Sequence, residues 1–368
     1  MVIRRGALEN LEMTARLPNK NFWKNKKVLV TGHSGFKGSW LVIWLNSIGA
    51  SVCGISLEPE TSPNLFYSAN VQNICDGKFM DICNLENLTD VIQSMQPEII
   101  IHMAAQPIVR RSYKEPINTF AVNVMGTVNI LESIRVCNSV KTVVMITTDK
   151  VYKNNEDGKS YNEEDPLGGH DPYSASKAAS EIVIESYRKS FFENRDVSIS
   201  SARSGNVIGG GDWSQDRLIP DAIKSWESSK DLVIRSPNSI RPWQHVLEPL
   251  LGYLILAEDT FSNSELAGAF NFGPLKKDEA TVKEVIEIAR KFYKGGNVSY
   301  QDNPLGPHEA TLLSLNPDKA ISYLNFSPNW SIKETLKKTI SWYKDYKSGC
   351  SALSLCLSDI ESYEKSVE

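Results

Sequence analysis

A tyrosine and a lysine four residues apart, Tyr173 and Lys177, are the first pair in this sequence whose types and spacing could do chemistry. They stand at the start of 175–192, a segment with a helical pattern, and residues at i and i+4 share one face of a helix. An ammonium beside a phenol favours the phenolate and lowers the phenol's pKa from about 10. The pair therefore predicts a general base active near neutral pH, although a surface Tyr–Lys pair without chemistry has the same spacing.

A second group, Thr148, Asp149 and Lys150, follows the apolar run 141–147. That run predicts a buried strand, and ligands of open α/β sheets bind outside the carboxyl ends of their strands. A hydroxyl, a carboxyl and an amine in a row at that place predict a catalytic segment. The alternative is a loop that caps the segment after it.

Three glycines, Gly32, Gly35 and Gly38, lie between the apolar run 27–31 and the helical pattern 36–48. Gly32 permits a tight turn, Gly35 lets a pyrophosphate approach the backbone, and Gly38 lets the helix pack on the sheet. The free N–H groups at the helix start attract phosphates. This strand–turn–helix order predicts a dinucleotide site, with a plain structural turn as the alternative.

The residue that binds the ribose hydroxyl groups is not marked by the usual acid. An acid normally ends the second strand of a sheet that binds NAD, but Ser56 stands at that place and Glu58 lies beyond it. No arginine stands beside Ser56 to bind a 2′-phosphate, so NAD is favoured over NADP. Asp81 follows a strand-like stretch and could hold the adenine amine, or it could cap the helix 84–95.

The elements that must position these residues alternate along the first half of the chain. Short β-rich runs separated by helical patterns predict βαβ units and a mostly parallel sheet with helices on both faces. The expected strands are 27–31, 51–57, 98–102, 141–147 and 197–203, and the expected helices are 36–48, 85–95, 118–135, 175–192, 281–293 and 333–346. After residue 203 the segments become rich in turn residues.

The expected fold class is therefore α/β, a Rossmann-type doubly wound parallel sheet with a smaller α+β C-terminal substrate lobe. The expected divisions are an N-terminal extension (1–20), an NAD-binding Rossmann domain (21–205, with a return segment near 240–275), a substrate-binding lobe (206–348) and a tail (349–368).

Composition limits the classes of function open to the chain. Its 368 residues carry a net charge of −4, which argues against a nucleic-acid binder that relies on general attraction. No apolar run is long enough for a membrane span. The six cysteines form no CxxC pair and the five histidines form no ligand cluster. These counts predict reduced thiols in a cytoplasmic protein and no metal site.

The glycine turn, the Tyr173–Lys177 pair and the segment 102–106 together resemble the extended short-chain dehydrogenase/reductase family, over residues 26–346. Within that family the chain is most similar to nucleotide-sugar 4,6-dehydratases. Its Thr-Asp-Lys group and the long segment 153–172 are similar to those of members that use a cytidine-linked sugar. The resemblance implies a retained NAD cofactor and CDP-glucose as substrate. It implies loss of water with internal hydride transfer from carbon 4 to carbon 6, in deoxysugar biosynthesis for lipopolysaccharide O-antigen.

The resemblance also implies a role for each catalytic residue. Tyr173 would take the proton of the 4-hydroxyl, Lys177 would hold the nicotinamide ribose, and Thr148 would bind the 4-oxygen. Asp149 would protonate the departing 6-hydroxyl. Relatives use a glutamate as the carbon-5 base where this chain has Lys150, and a lysine serves as base only if its pKa falls well below about 10.4.

Further contacts follow from the resemblance by position. The implied cofactor contacts are Gly32, Ser34, Gly35, Phe36, Gly38, Ser56, Asp81, Ile82, Ala104, Ala105, Tyr173 and Lys177. The implied substrate contacts are Gln106, Arg111, Asn206, Arg217, Leu218, Arg241 and His308. A guanidinium such as that of Arg241 suits a pyrophosphate because it binds two oxygens at once. Arg111 and His308 could equally be structural.

Three other functions remain open at this stage. The chain could be a dehydratase or 4-epimerase for a TDP-, UDP- or GDP-linked hexose, a simple dehydrogenase, or a dinucleotide-binding regulator without activity. The Asp-Lys pair after Thr148 argues against an epimerase, and the intact Tyr-Lys-Thr set argues against a regulator. The resemblance further implies a homodimer, possibly a tetramer, formed by helices 118–135 and 175–192.

Overall fold

The computed structural model describes residues 15–301 and 311–367. The strands are β1 (Lys27–Thr31), β2 (Ser51–Ser56), β3 (Asp76–Phe79), β4 (Ile99–His102), β5 (Thr142–Ile146), β6 (Ser160–Tyr161), β7 (Ser198–Ser204), β8 (Val207–Ile208), β9 (Leu232–Ile234), β10 (Ile240–Arg241), β11 (Gln244–His245), β12 (Ala269–Phe272), β13 (Ala280–Thr281), β14 (Val298–Tyr300) and β15 (Ser314–Leu315). The α-helices are α1 (Lys20–Trp23), α2 (Phe36–Ser47), α3 (Leu65–Ser68), α4 (Leu85–Met95), α5 (Val109–Lys114), α6 (Pro116–Phe120), α7 (Gly126–Arg135), α8 (Pro172–Tyr187), α9 (Leu218–Glu227), α10 (Leu247–Ser262), α11 (Val282–Tyr293), α12 (Asp318–Leu324), α13 (Ile332–Lys347) and α14 (Ala352–Val367).

The central sheet has seven parallel strands in the order β12-β7-β5-β4-β1-β2-β3. Strands β1, β2 and β3 follow one another toward one edge of the sheet. Strands β4, β5, β7 and β12 then follow one another toward the other edge. Crevices at such a reversal, outside the carboxyl ends of the strands, are where open α/β sheets bind ligands. The expected fold class is confirmed, and each expected strand of the sheet is found within one residue of its predicted bounds.

Both faces of the sheet are covered. On β1 the side chains of Val28 and Val30 lie in one apolar cluster and that of Leu29 lies in the other, because successive strand residues point to opposite faces. Ile99, Ile100 and Ile101 of β4 are fully buried. Near-continuous apolar strands of this kind are typical of parallel sheets with helices on each side.

The edge strand β12 comes from the second half of the chain. It pairs with β7, so the segment that was predicted to return to the first domain supplies the seventh strand and helix α10 behind it. The remaining strands form two-stranded pairs: β10 with β13, β11 with β8, β14 with β9 and β15 with β6. These short pairs, with α9, α11 and α13, make the smaller lobe.

The predicted tail is wrong. Residues Ala352–Val367 form a helix, α14, that packs against α2 and α13. Its buried residues Cys356, Ile360 and Tyr363 follow at i, i+4 and i+7, which is the spacing of one helix face. The many serines around them obscured this pattern.

Helix α14 is hydrogen-bonded to α10 and α2. Tyr363 donates a hydrogen bond to Glu248 of α10 (2.6 Å), and Trp44 of α2 donates one to Glu364 (3.0 Å). The last helix therefore holds elements that are far apart in sequence.

The N-terminal extension, 1–20, falls mostly outside the described residues. Its described part lies against α10, where Arg16 pairs with Asp259 (2.5 Å). Trp23 of α1 donates to Glu258 (2.5 Å). This part of the extension is therefore packed on the domain behind the sheet.

Within the described ranges, no helix is long and apolar enough to cross a membrane. Over the same ranges no group of three or more His, Cys, Asp or Glu side chains could hold a metal ion. The six cysteines all lie in described parts of the chain, and all are free thiols.

Candidate active site

The glycine turn joins β1 to α2. Gly32 has a φ of +75°, and a Cβ there would lie 2.8 Å from the amide nitrogen of Ala104. A Cβ on Gly38 would lie 2.0 Å from the carbonyl oxygen of Gly32. Gly35 is the residue before the first turn of α2. Only glycines let the backbone turn this tightly, so the first amides of α2 stay open toward the crevice.

The structure places a hydroxyl group at the position where the ligand of the ribose is expected. Ser56 at the end of β2 is buried, and its Oγ has no hydrogen-bond partner. Ser34 in the glycine turn donates to the carbonyl oxygen of Leu57 (2.7 Å), which fixes the turn against the same strand end. An unpartnered buried hydroxyl beside an open amide cradle fits a nucleotide with a ribose diol.

The other predicted cofactor contacts differ in their surroundings. Phe36 begins α2 and is half-buried, as are Ala104 and Ala105 after β4. Asp81 is exposed and accepts from the backbone N–H of Cys83 (2.9 Å). Asp81 does not cap α4, because Asn84 does. Ile82 is buried, and its Cδ1 lies 2.5 Å from the position that a Cβ on Gly126 would take.

Tyr173 lies in the first turn of α8, with Asp171 as the capping residue. Burial raises the pKa of Tyr173 to about 12; the Thr148 hydroxyl and the charge of Arg217 act in the opposite direction. Lys177 donates to the carbonyl oxygen of Ile146 (3.1 Å). The predicted lowering of the phenol pKa by Lys177 is therefore wrong for this structure, because burial outweighs every favourable neighbour.

Thr148 and Asp149 follow β5 directly and are buried. The hydroxyl of Thr148 donates to Asp149 Oδ1 (2.9 Å), whereas Asp149 Oδ2 is buried with no hydrogen-bond partner. Burial raises the pKa of Asp149 above its usual value, against the lowering effects of Lys150, Thr148 and Arg241. A buried carboxyl with a raised pKa and one unpartnered oxygen is suited to donate a proton. Lys150 is half-buried beside it.

The smaller lobe brings two arginines to this group. Arg217 precedes α9 and pairs with Asp212 (3.2 Å), and its charge acts on Tyr173. Arg241 of β10 is buried and its charge acts on Asp149. Asn206 before β8 is half-buried, and Leu218 begins α9 directly after Arg217. Two cations thus face the residues at the end of β5.

Gln106 and Arg111 have partners within the protein. The Gln106 amide donates to Thr119 (3.0 Å) and accepts from the backbone of Ile108 (2.7 Å), so it holds its own loop. Arg111 pairs with Glu60 (2.7 Å) and also with Glu115. For both residues the structure supports the structural interpretation. His308 lies outside the described residues.

Lys37, in the first turn of α2, belongs to this site and was not predicted. Its ammonium donates to the hydroxyl groups of Tyr253 (2.8 Å) and Ser204 (3.3 Å). Burial, together with the charges of Arg217 and Lys177, lowers the pKa of Lys37 to about 7. In the sequence, the position of this lysine between Gly35 and Gly38 of an otherwise uncharged turn could have indicated that it belongs to the site.

Asn123 was also missed. A π-helical turn, Ala121–Met125, separates α6 from α7 and carries Asn123 inward. Its amide donates to the carbonyl of Gln106 (3.1 Å) and to the hydroxyl of Ser176 (2.9 Å) on α8. π-Turns inside helices often mark functional sites, but no sequence pattern announces one.

Comparisons with known proteins agree with this geometry. Residues 29–339 match the family described as GDP-mannose 4,6 dehydratase. The chain is 44% identical over 352 residues to a CDP-glucose 4,6-dehydratase of Salmonella typhimurium, covering 94% of this chain and 98% of the relative.

Solved structures share the fold. A UDP-glucose 4-epimerase of Thermus thermophilus in complex with NAD has a TM-score of 0.76 at 23% identity, over 86% of this chain and 99% of the other. A dTDP-glucose 4,6-dehydratase of Bacillus anthracis with NAD has a TM-score of 0.73 at 24% identity, over 89% and 99%.

Proposed function

Because the chain belongs to the GDP-mannose 4,6-dehydratase family of extended short-chain dehydrogenases/reductases, we propose that it converts CDP-glucose to CDP-4-keto-6-deoxyglucose with loss of water. The observation that carries this proposal is Asp149, a buried carboxyl with a raised pKa and an unpartnered oxygen, next to Thr148 and Tyr173. Removal of a hydroxyl as water needs an acid, and a simple oxidation does not. The Salmonella relative supports the choice of nucleotide.

The cofactor is NAD. The glycine cradle and the unpartnered Ser56 hydroxyl fit it, and two solved relatives hold it. Held by the glycine turn and Lys177, NAD would supply a hydride acceptor for carbon 4 of the sugar and a hydride donor for carbon 6, and would be regenerated in each cycle. The protein's task is to orient both molecules and to move the protons.

Tyr173 and Thr148 act on the 4-hydroxyl. Thr148 is a hydrogen-bond partner of the Tyr173 phenol, so a sugar hydroxyl placed between them is held while Tyr173 takes its proton. The phenol must lose its own proton first. Burial opposes that loss in the structure, and the positive charge of Arg217 favours it.

Asp149 and Lys150 act in the elimination. Asp149 gives its proton to the departing 6-hydroxyl through Oδ2, which has no partner in the protein. Lys150, half-buried next to Asp149, is the proposed carbon-5 base, and it must be neutral to take that proton, which the 4-ketone has made acidic. After the transfer, the charges of Lys150 and Arg241 stabilise the carboxylate that Asp149 becomes.

The nucleotide part of the substrate binds in the smaller lobe. Arg217 and Arg241 supply two guanidinium groups for the pyrophosphate, with Asn206 and Leu218 beside them. Residues 206–348 are therefore the proposed substrate-binding lobe, apart from the returning segment that supplies β12.

The test of this function is an assay with purified protein, NAD and CDP-glucose, run beside TDP-, UDP- and GDP-glucose. We expect the CDP-linked product to be lighter by one water, without accumulation of reduced nicotinamide. Reduced nicotinamide without water loss would indicate a dehydrogenase. An unchanged mass with an altered sugar configuration would indicate a 4-epimerase, which the Thermus neighbour keeps as the second candidate.

A homodimer is part of the proposal. Helices α6 and α8 pack together and expose large apolar side chains: Ile117 is 86% exposed and Ile182 is 60% exposed. Phe120 at the end of α6 and Met125, five residues later, are also exposed. Exposed large apolar side chains on neighbouring helices are typical of protein–protein contacts. The six free thiols also fit the proposed cytoplasmic setting.

Ile182→Glu is expected to break the dimer, because a buried unpaired charge at an interface costs several kcal/mol. Light scattering after gel filtration should give twice the chain mass of 41.1 kDa for the unaltered protein and the single mass for the variant. Tyr323→Glu is the control, since Tyr323 is 63% exposed on α12 and should leave the mass unchanged. A monomeric unaltered protein would refute this arrangement.

A further inference from the structure

A buried carboxylate links the two segments that carry the catalytic residues. Glu181 lies one turn beyond Lys177 on α8 and is only 4% exposed. It accepts hydrogen bonds from Thr147, the residue before Thr148, and from Ser201 of β7 (2.8 Å). It also pairs with Arg203 of β7 (2.8 Å). We propose that Glu181 is a positioning residue that keeps Lys177 charged and holds the Thr-Asp-Lys segment against α8.

The positional part follows from the hydrogen bonds. Thr147 is the last residue before Thr148, and its side chain is tied to α8 through Glu181. Tyr173 lies two turns earlier on the same helix. Together with the Lys177–Ile146 hydrogen bond, this carboxylate, which touches neither group, helps to set the distance between the Tyr173 phenol and the Thr148 hydroxyl. A shift of about 1 Å in such a pair costs about a hundredfold in rate.

The carboxylate stays ionised although it is buried. Burial alone raises the pKa of Glu181, but the charge and hydrogen bonds of Arg203 and the hydroxyl groups of Thr147 and Ser201 together hold it below its usual value. Arg203 is itself fixed by Tyr152, whose hydroxyl lies 2.9 Å from the guanidinium. The negative charge of Glu181 is therefore permanent over the working pH range.

That charge acts on Lys177. Burial lowers the pKa of Lys177 to about 8, and Glu181 opposes this fall. Three other titratable groups lie near Lys177. Burial raises the pKa of Tyr173, one turn earlier on α8, to about 12, lowers that of Lys37 of α2 to about 7 and lowers that of His102 of β4 to about 3. Tyr173 and His102 are neutral at working pH and Lys37 repels Lys177, so none of them replaces Glu181.

These pKa shifts determine how the charge of Lys177 should respond to pH when Glu181 is removed. A lysine is charged below its pKa, so removal of the nearby carboxylate lowers the pKa of Lys177 and leaves a larger fraction of it neutral near pH 7 and above. Acidification should restore the ammonium. The titration of Lys37 responds to the charge of Lys177, so Lys37→Met is combined with Glu181→Gln to separate the two lysines.

The test measures NAD binding against pH, which reports on Lys177 whether or not CDP-glucose is the substrate. The expected effect on catalysis rests on the proposed function, whereas the expected effect on NAD binding does not. Failure of the inference can therefore be told from failure of the proposed function. A fall of about one unit in the pKa of Lys177, from about 8, reduces its charged fraction about threefold at pH 7.5. Glu181→Gln is therefore expected to weaken NAD binding about threefold at pH 7.5 and to recover near pH 6. Glu181→Asp keeps the charge and should keep the unaltered pH profile.

Thr147→Val tests the positional part. It removes the hydrogen bond without changing any charge, so kcat should fall at every pH while the pH profile of NAD binding stays the same. Ser201→Ala, which removes a bond to the same carboxylate away from the catalytic segment, should also keep the pH profile. An unchanged kcat in Thr147→Val would overturn the link to Thr148.

Glu181→Gln leaves Arg203 buried without its partner and could fail to fold. The double variant E181Q/R203M removes both charges together, a change that proteins often tolerate. Thermal unfolding identifies the variants that fold. A folded variant without the carboxylate whose NAD affinity has the unaltered pH dependence would overturn the charge part of the proposal.

Discussion

Tyr173→Phe is expected to lower kcat for loss of water from CDP-glucose by about 10²–10⁴-fold, the usual contribution of a general base. The phenol is the group placed to take the 4-hydroxyl proton, and Phe fills the same buried volume without it. NAD affinity should be preserved, because Lys177 and the glycine turn are unchanged. The measurement is the initial rate of product formation by mass, beside NAD binding by fluorescence.

Tyr187→Phe is the matched control for this change. Tyr187 lies on the same helix, but its hydroxyl donates to Glu132 (2.6 Å) and not to the catalytic group. It should keep the unaltered kcat. Full activity in Tyr173→Phe would remove Tyr173 from the mechanism and show that another group is the base.

Asp149→Asn is expected to separate the two halves of the reaction. An amide has nearly the same shape as the carboxyl but cannot give up the proton that the departing hydroxyl needs. Oxidation at carbon 4 should still occur, so the near-ultraviolet absorbance of reduced nicotinamide should rise to one equivalent per site. Water loss should fall by about 10²–10⁴-fold. Stopped-flow absorbance combined with product mass checks both results.

Asp171→Asn controls for the removal of a carboxylate near Tyr173. Asp171 caps α8, and asparagine caps helices equally well, so the helix should keep its start. This variant should lose water at nearly the unaltered rate without build-up of reduced nicotinamide. If Asp149→Asn also eliminates water normally, the acid is a different group.

Much of this fold was predictable because local patterns decide it. The strands β1, β4 and β5 are apolar on both faces, and the helices between them have clear periodicity, so the parallel sheet followed from the sequence. The glycines at 32, 35 and 38 marked the turn because few other functions need that spacing before a helix.

What could not be predicted depends on long-range packing. The pairing of β12 with β7 skips the helices and loops between them, and α14 packs against α2 across most of the chain with its apolar face hidden among serines. The raised pKa of Tyr173 comes from burial by segments that no local pattern connects to it. Gln106 carries the right chemistry for a ligand, but its neighbours Thr119 and Ile108 already bind it.

The docking of α14 on α2 also sets an order of events during synthesis. Trp44 and its partner Glu364 are 320 residues apart. At a translation rate of about 5–20 residues per second, the emerging chain carries Trp44 for about 16–64 s before that partner exists. The first βαβ unit therefore leaves the ribosome with an unfinished outer face. Chaperones that shield apolar surface have their longest opportunity to act at that face, and the nucleotide-binding half of the molecule reaches its final packing only when the last helix is released.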